Sequence, residues 1–223
     1  YRFIFGPETI GPIFYLNSPR SRNLIKRNIH SFNLTCVGSG EDWSLLQSRR
    51  PNTYTESLAK LCLESNSKRF TIYSFSDRGS DERQYCSPGV DLDMVSIMRS
   101  KYHTYPEYHT NLDNMNLLSK EQFQETYELY ESLLEMLESD RILKVTVKGE
   151  PNLNALTLKP KIGGQLHLKD SERRNIIEFF MNCDGKSLLQ TASILKISLL
   201  EARKILDLLL SQDLIKSLPV DNR

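Results

Sequence analysis

The run Thr53-Tyr54-Thr55-Glu56-Ser57-Leu58-Ala59-Lys60-Leu61-Cys62-Leu63-Glu64-Ser65, with Phe70-Thr71-Ile72-Tyr73-Ser74-Phe75 close behind it, settles the fold class. In the first part Leu58, Leu61 and Cys62 fall on one helix face, and the second part alternates as a strand does. Both signatures recur to either side. Tyr1-Arg2-Phe3-Ile4-Phe5 reads as a buried strand, and as the opening of the sequence it places the start inside a fold. Ser21 to Asn28 reads as a short helix, Ser31 to Val37 as a second strand, and Val90 to Met98 as a further apolar segment. Strands separated by helices predict an α/β sheet up to about Asn111. The polar, aromatic stretch Tyr102-His103-Thr104-Tyr105-Pro106-Glu107-Tyr108-His109-Thr110 within it is expected to be a loop.

A long helix is expected from Ser119 to about Ser139. Ser119 and Gln122 stand at capping-box spacing, and Phe123, Tyr127, Tyr130, Leu134 and Leu137 form one apolar stripe. Glu121, Glu125, Glu128, Glu131, Glu135 and Glu138 read as its solvated face rather than as a metal site, because metal ligands converge from several elements.

Composition narrows the functional classes. Of 223 residues 39% are hydrophobic and 26% charged, which suits a chain that buries a core. Lys and Arg number 29 against 28 Asp and Glu, a net charge of +1, so no general attraction to nucleic acid or an anionic membrane follows. No apolar stretch approaches the roughly 18 residues of a membrane span, and neither end shows a leader pattern. Cys36, Cys62, Cys86 and Cys183 are too far apart for a CxxC knuckle and are expected as free thiols in a reducing cytoplasm.

Turn residues gather at Lys148-Gly149-Glu150-Pro151-Asn152 and Lys159-Pro160-Lys161-Ile162-Gly163-Gly164, which marks a linker over 149–164 between a domain of residues 1–148 and one of 165–223. The second domain reads as helices over Asp170 to Asn182, Ser187 to Leu195 and Ser198 to Ser211, then the apolar tail Leu214-Ile215-Lys216-Ser217-Leu218. Asp184-Gly185 stops the first helix, and Ser187 and Ser198 cap the others. This order predicts a small winged helix-turn-helix domain. Its nine basic and eight acidic residues from Gln165 onward, and the Glu201 and Asp207 beside Arg203 and Lys204, argue for a structural or partner-docking role over DNA reading.

Three segments place chemistry-bearing side chains at strand ends or in loops: Pro7-Glu8-Thr9-Ile10-Gly11, Gly79-Ser80-Asp81-Glu82-Arg83-Gln84-Tyr85-Cys86, and Glu107-Tyr108-His109-Thr110-Asn111-Leu112-Asp113-Asn114. Glu8 and His109 are donor types that a zinc hydrolase uses. Arg99, at the end of an apolar segment, is either a strand-end charge or a clamp on a substrate carboxylate or phosphate. Tyr102, Tyr105 and Tyr108 either wall a pocket or pack on the sheet.

In order, Pro-Glu-Thr-Ile-Gly, Gly-Ser-Asp-Glu-Arg-Gln-Tyr-Cys-Ser-Pro-Gly, Ser96-Ile97-Met98-Arg99-Ser100 and Tyr-Pro-Glu-Tyr-His-Thr-Asn-Leu-Asp-Asn resemble a bacterial aminopeptidase-like family of the zinc-dependent aminopeptidase and glutaminyl cyclase superfamily, whose members carry a winged helix after the α/β domain. The likeness runs over nearly the whole chain and is most specific at Gly79 to Gly89 and Pro106 to Asn114. It implies a three-layer α/β fold on a mixed sheet, incomplete here, with this chain as its C-terminal half. It implies zinc held by Glu8 and His109, an active-site loop with Ser80 and Asp81, and Asp113 orienting the His109 loop. There are departures. Pro7-Glu8 stands where relatives have two glutamates, Val37-Gly38-Ser39-Gly40 stands where they have a metal-binding aspartate, and the superfamily's first histidine and bridging aspartate precede the strand matched by Tyr1 to Phe5. The expected function is hydrolysis of an amide or peptide bond in a small peptide-like substrate by metal-activated water. The alternatives are a non-catalytic scaffold or binding protein whose winged helix docks a protein or nucleic-acid partner, and a transcriptional regulator that uses the α/β part as a ligand sensor.

Overall fold

The computed structural model describes residues 1–27, 30–66, 68–152 and 170–219. They fall into two compact units, Tyr1–Met136 and one that opens at Leu137. In the first, the chain runs through helices α1 (Ile10–Asn17) and α2 (Arg22–Arg27), strands β1 (Ser31–Asn33) and β2 (Trp43–Leu46), helix α3 (Tyr54–Ser65), strand β3 (Phe70–Tyr73), the single turn α4 (Glu82–Tyr85), strand β4 (Met94–Met98) and helix α5 (Lys120–Ser139).

The four strands form one mixed sheet in the order β1-β4-β2-β3. β1 runs parallel to β4, with Asn33 opposite Ser96, and β2 runs parallel to β3, with Leu46 opposite Tyr73. The two pairs meet antiparallel at β2 and β4, where Leu45 faces Ile97. Every residue of β2 and β4 is buried, as central strands covered on both faces must be. α3 forms as its spacing predicts. The Thr53 hydroxyl accepts from the Glu56 N–H at 3.3 Å, and Leu58, Leu61 and Cys62 are buried. The Cys62 thiol lies 3.5 Å from the carbonyl of Leu129 in α5, and the Tyr130 hydroxyl donates to the Ile97 carbonyl at 3.1 Å. Met94 packs with Tyr85, Cys86 and Leu92, together with Tyr15 and Leu16 of α1, and Met98 packs with Leu46 and Tyr102.

Three expectations need correction. Tyr1 to Phe5 is not a buried strand: it lies in none of the described strands, and Phe5 is 93% exposed. Hydropathy registers side chains, whereas a buried strand also needs a neighbour to take its N–H and C=O groups. α1 continues this surface, with Ile10, Ile13 and Phe14 exposed on one stripe. The strand expected over Ser31 to Val37 ends at Asn33, and Cys36 turns with a φ of 49°. Finally, α5 buries Thr126, Leu129, Leu133 and Met136, about one residue around from the expected stripe, while Phe123 and Tyr127 are exposed. The contact turns on Thr126, whose hydroxyl lies 2.8 Å from the Val37 carbonyl, and an apolar periodicity does not count threonine.

In the second unit, β5 (Arg141–Val145) is followed by α6 (Asp170–Cys183), α7 (Leu188–Leu195), α8 (Leu199–Ser211) and β6 (Ile215–Pro219). β5 and β6 pair antiparallel, with Leu143 opposite Ser217. A segment expected within residues 1–148 thus pairs with the C-terminal tail, a long-range partnership that local pattern cannot show. The helices lie where expected. Ser187 and Gln190 complete a capping box, Ser198 accepts from the Glu201 N–H at 3.2 Å, and Gly185 ends α6 with a φ of 72°. Phe179, Leu143, Leu189 and Leu209 are core residues. From residue 153 on, the expected linker lies outside the described residues, as do residues 165–169. All four cysteines are free, and Cys62, Cys86 and Cys183 are buried. Among the described residues no helix is long and apolar enough to cross a membrane.

Candidate functional site

Asn33 and Ser96, partners across the parallel β1–β4 pair, both hydrogen-bond the Glu82 carboxylate on one sheet face. Its Oε2 accepts from the Asn33 amide at 2.9 Å and the Ser96 hydroxyl at 3.3 Å. Its Oε1 accepts from the N–H groups of Gly79 and Ser80, both at 2.9 Å, and from the Tyr102 hydroxyl at 2.7 Å. Glu82 is 0% exposed. Burial alone would raise its pKa, but the bonds from Ser80, Tyr102 and Gly79 outweigh that and hold the carboxyl below the usual range. Burial and the bond to Glu82 push the Tyr102 hydroxyl well above its ordinary value, which keeps it a donor.

The expected site residues lie around this centre. The Asp81 carboxylate accepts from the Thr9 N–H at 2.8 Å, and Arg83 donates to the Thr9 hydroxyl at 2.9 Å, so the exposed Glu8 is held next to the Asp81 loop. Burial, with the nearby charges of Glu8 and Glu82, raises the Asp81 pKa against the lowering effect of the Thr9 bond. His109 is exposed, takes a φ of 56°, and stacks on Tyr108 with ring centroids 4.0 Å apart. Tyr108 in turn meets His103 at 4.6 Å and Tyr102 at 6.4 Å. Burial and then the charge of Glu8, with a smaller effect from Asp113, raise the Tyr108 hydroxyl, which places both carboxylates within electrostatic reach of the ring that carries His109. The structure thus ties the Glu8 segment to the Asp81 loop and stacks His109 on Tyr108.

Arg99 does not join them. It is 4% exposed; its guanidinium donates to the Gly40 carbonyl at 2.7 Å and to Glu125 at 2.8 Å, and it lies 4.7 Å from the Trp43 ring. This is an internal tie between the sheet and α5, and a guanidinium so committed is not presented to a substrate. The tyrosines pack rather than form an open wall: Tyr102 is buried, and the Tyr105 hydroxyl is 4.0 Å from the Cys36 thiol. Sequence reasoning missed Glu82, Asn33 and Ser96 as a connected set. The one available signal was that Glu82 lies in the Gly79–Cys86 segment singled out for Ser80 and Asp81.

Among the described residues, no three His, Cys, Asp or Glu side chains stand close enough together to hold a metal ion. Glu8 and His109 have suitable donor atoms, but they do not make a centre with any described third ligand. No catalytic step through a metal follows from these residues alone.

The first unit is an α/β protein built on a mixed sheet, with Glu8, Asp81 and His109 all outside its strands. The chain belongs to the family described as a domain of unknown function, DUF4910, which matches residues 1–140. It is 32% identical over 165 residues to a Clostridium acetobutylicum protein provisionally assigned as a polysaccharide biosynthesis protein with an aminopeptidase-like domain, covering 74% of this chain and 37% of that one. A crystal structure from Clostridium acetobutylicum, provisionally assigned as a peptidase, superposes with a TM-score of 0.72 at 26% identity over 96% of this chain and 47% of the other. An aminopeptidase from Aneurinibacillus sp. strain AM-1 gives a TM-score of 0.48 at 22% identity, over 57% of this chain and 30% of the other. The chain spans less than half the length of these relatives.

Proposed function

We propose that this chain carries the loop-bearing part of a peptidase-like hydrolase acting on an amide or peptide bond in a small peptide-like substrate. The observation behind this is the 2.8 Å bond from the Thr9 N–H to Asp81, which ties the Glu8 segment to the Asp81 loop beside the Tyr108–His109 stack. In this proposal Glu8 and His109 are the two donors the chain offers to a zinc ion, any further ligand coming from outside the described residues. Asp81, its pKa raised by burial, is a loop carboxylate proposed to accept or return a proton near the reacting bond. Asp113 orients the His109 loop. The three helices and two-stranded ladder of the second unit act as a winged-helix module that docks a protein, with the protein working in the cytoplasm.

Zinc content and amide hydrolysis, measured on the purified protein against a panel of aminoacyl amides and short peptides, test the proposal. Wild type should carry zinc and hydrolyse at least one substrate, and Glu8→Gln and His109→Ala should each lose metal and cut activity at least a hundredfold. Protein without zinc, and activity unchanged in both variants, would overturn it. The second reading, a non-catalytic scaffold, draws on the finding that the described residues supply no three-donor cluster. It expects no turnover from a correctly folded, metal-supplemented protein.

A further inference from the structure

We propose that Glu82 is a positioning residue: one buried carboxylate clamps the Gly79–Asp81 loop to Tyr102 and so holds the Glu8 and His109 segments in place together. Its role in function rests on the site proposed above, while the clamp itself stands on geometry. Five donors from four separate parts of the chain converge on its two oxygens: Asn33 from β1, the Gly79 and Ser80 amides from the loop before α4, Ser96 from β4 and Tyr102 from the loop after β4. Two routes lead outward. Through Gly79 and Ser80 the clamp fixes Asp81, which holds Thr9 at 2.8 Å and thereby the neighbouring Glu8. Through the Tyr102 hydroxyl it fixes a ring that meets His103 at 5.7 Å and Tyr108 at 6.4 Å, and Tyr108 is the ring on which His109 stacks.

A carboxylate suits this place because it accepts on both oxygens and donates from neither. All five groups around it can be donors, and the Gly79 N–H also lies 2.7 Å from the Tyr102 oxygen, which closes the network. An alanine there would leave buried N–H and O–H groups without an acceptor, a cost the loops can escape only by moving. An apolar strand-facing residue would have packed the same face of β4 without linking the loops. The presence of a full charge where burial opposes it points to the linkage as its purpose.

Histidine imidazole NMR on the whole protein reads this directly, because His103 and His109 lie on the segment that Tyr102 ties to Glu82. Glu82→Ala should shift or broaden the His103 and His109 signals. Glu56→Gln serves as the control, a buried carboxylate that accepts from the Ser48 and Asn52 N–H groups and has no part in the clamp. It should leave His103 and His109 as in wild type. If Glu82→Ala does not fold, Glu82→Gln, which keeps the shape and loses the charge, gives the same reading with a smaller shift. The proposal is overturned if the folded Glu82 variant leaves His103 and His109 at their wild-type positions, or if Glu56→Gln moves them as much. Neither metal nor substrate enters the measurement, so its outcome is independent of whether hydrolysis is found.

Discussion

Tyr102 fills the space that a side chain at Gly79 would need. A Cβ there would lie 2.5 Å from Tyr102 Cε2 and 3.0 Å from Cδ2, and that ring is 2% exposed with its hydroxyl committed to Glu82. Gly79→Ala should therefore cost about 2 kcal/mol, read as a lower urea midpoint at unchanged slope. Gly38 faces a similar overlap with Phe123, but that ring is partly exposed and can swing away, so Gly38→Ala should cost clearly less in the same experiment. The pair shows why single residues around the site were only half legible in the sequence. Glycine can be read as a place of close approach, but what approaches depends on where Tyr102 and Phe123 arrive from far along the chain. Arg99 shows the same limit, since its two candidate roles differ only in whether Glu125, Trp43 and Gly40 close over it.

Helices with a cap and a clean apolar face were the legible elements. α7 begins where Ser187 predicts, since the cap chemistry is local and needs no tertiary partner. Ser187 accepts from the Gln190 N–H at 3.1 Å and Gln190 reciprocates at 3.0 Å, both in a part-buried setting. Ser187→Ala should lower stability by about 1 kcal/mol, and Ser187→Asp, which keeps an acceptor, should recover most of it in thermal melts. Elements whose identity depends on a distant neighbour were read poorly. Tyr1 to Phe5 has a strand's composition without a described partner strand, and β5 finds its partner only in β6, after three intervening helices.

For the molecule as a whole, acid should be the weak side. Burial lowers the His30 pKa from its ordinary 6.5 to about 4, against an opposing pull from Asp93. The unfolded imidazole takes up its proton as pH falls through about 6.5, whereas the folded one resists until near 4. The contribution is therefore complete above that window and is lost as pH falls through it, on the order of 3 kcal/mol. Glu82, depressed below the usual carboxylate range, loses its contribution lower still, as pH falls through its folded value. The raised Glu56 and Asp81 work in the opposite sense, favouring the folded state as acid protonates them. Urea midpoints should fall between pH 7.5 and 5, and His30→Gln should flatten that slope; a midpoint independent of pH across this range would count against the assignment. The sheet class was legible because alternating helix and strand patterns are local. The clamp at Glu82 was not, because it is made by residues spread from Asn33 to Tyr102.

The seam where two parallel strand pairs meet head to tail also orders events in time. β2, α3 and β3 are consecutive and pair across a single helical crossover. β1 must instead wait for β4, with that whole unit and α4 lying between them in the chain. Because closing a long loop costs entropy before any contact repays it, the β1–β4 pair is expected to form late in folding. Asn33 and Ser96 come together only in that step, so the pocket for the Glu82 carboxylate is among the last parts of the first unit to exist.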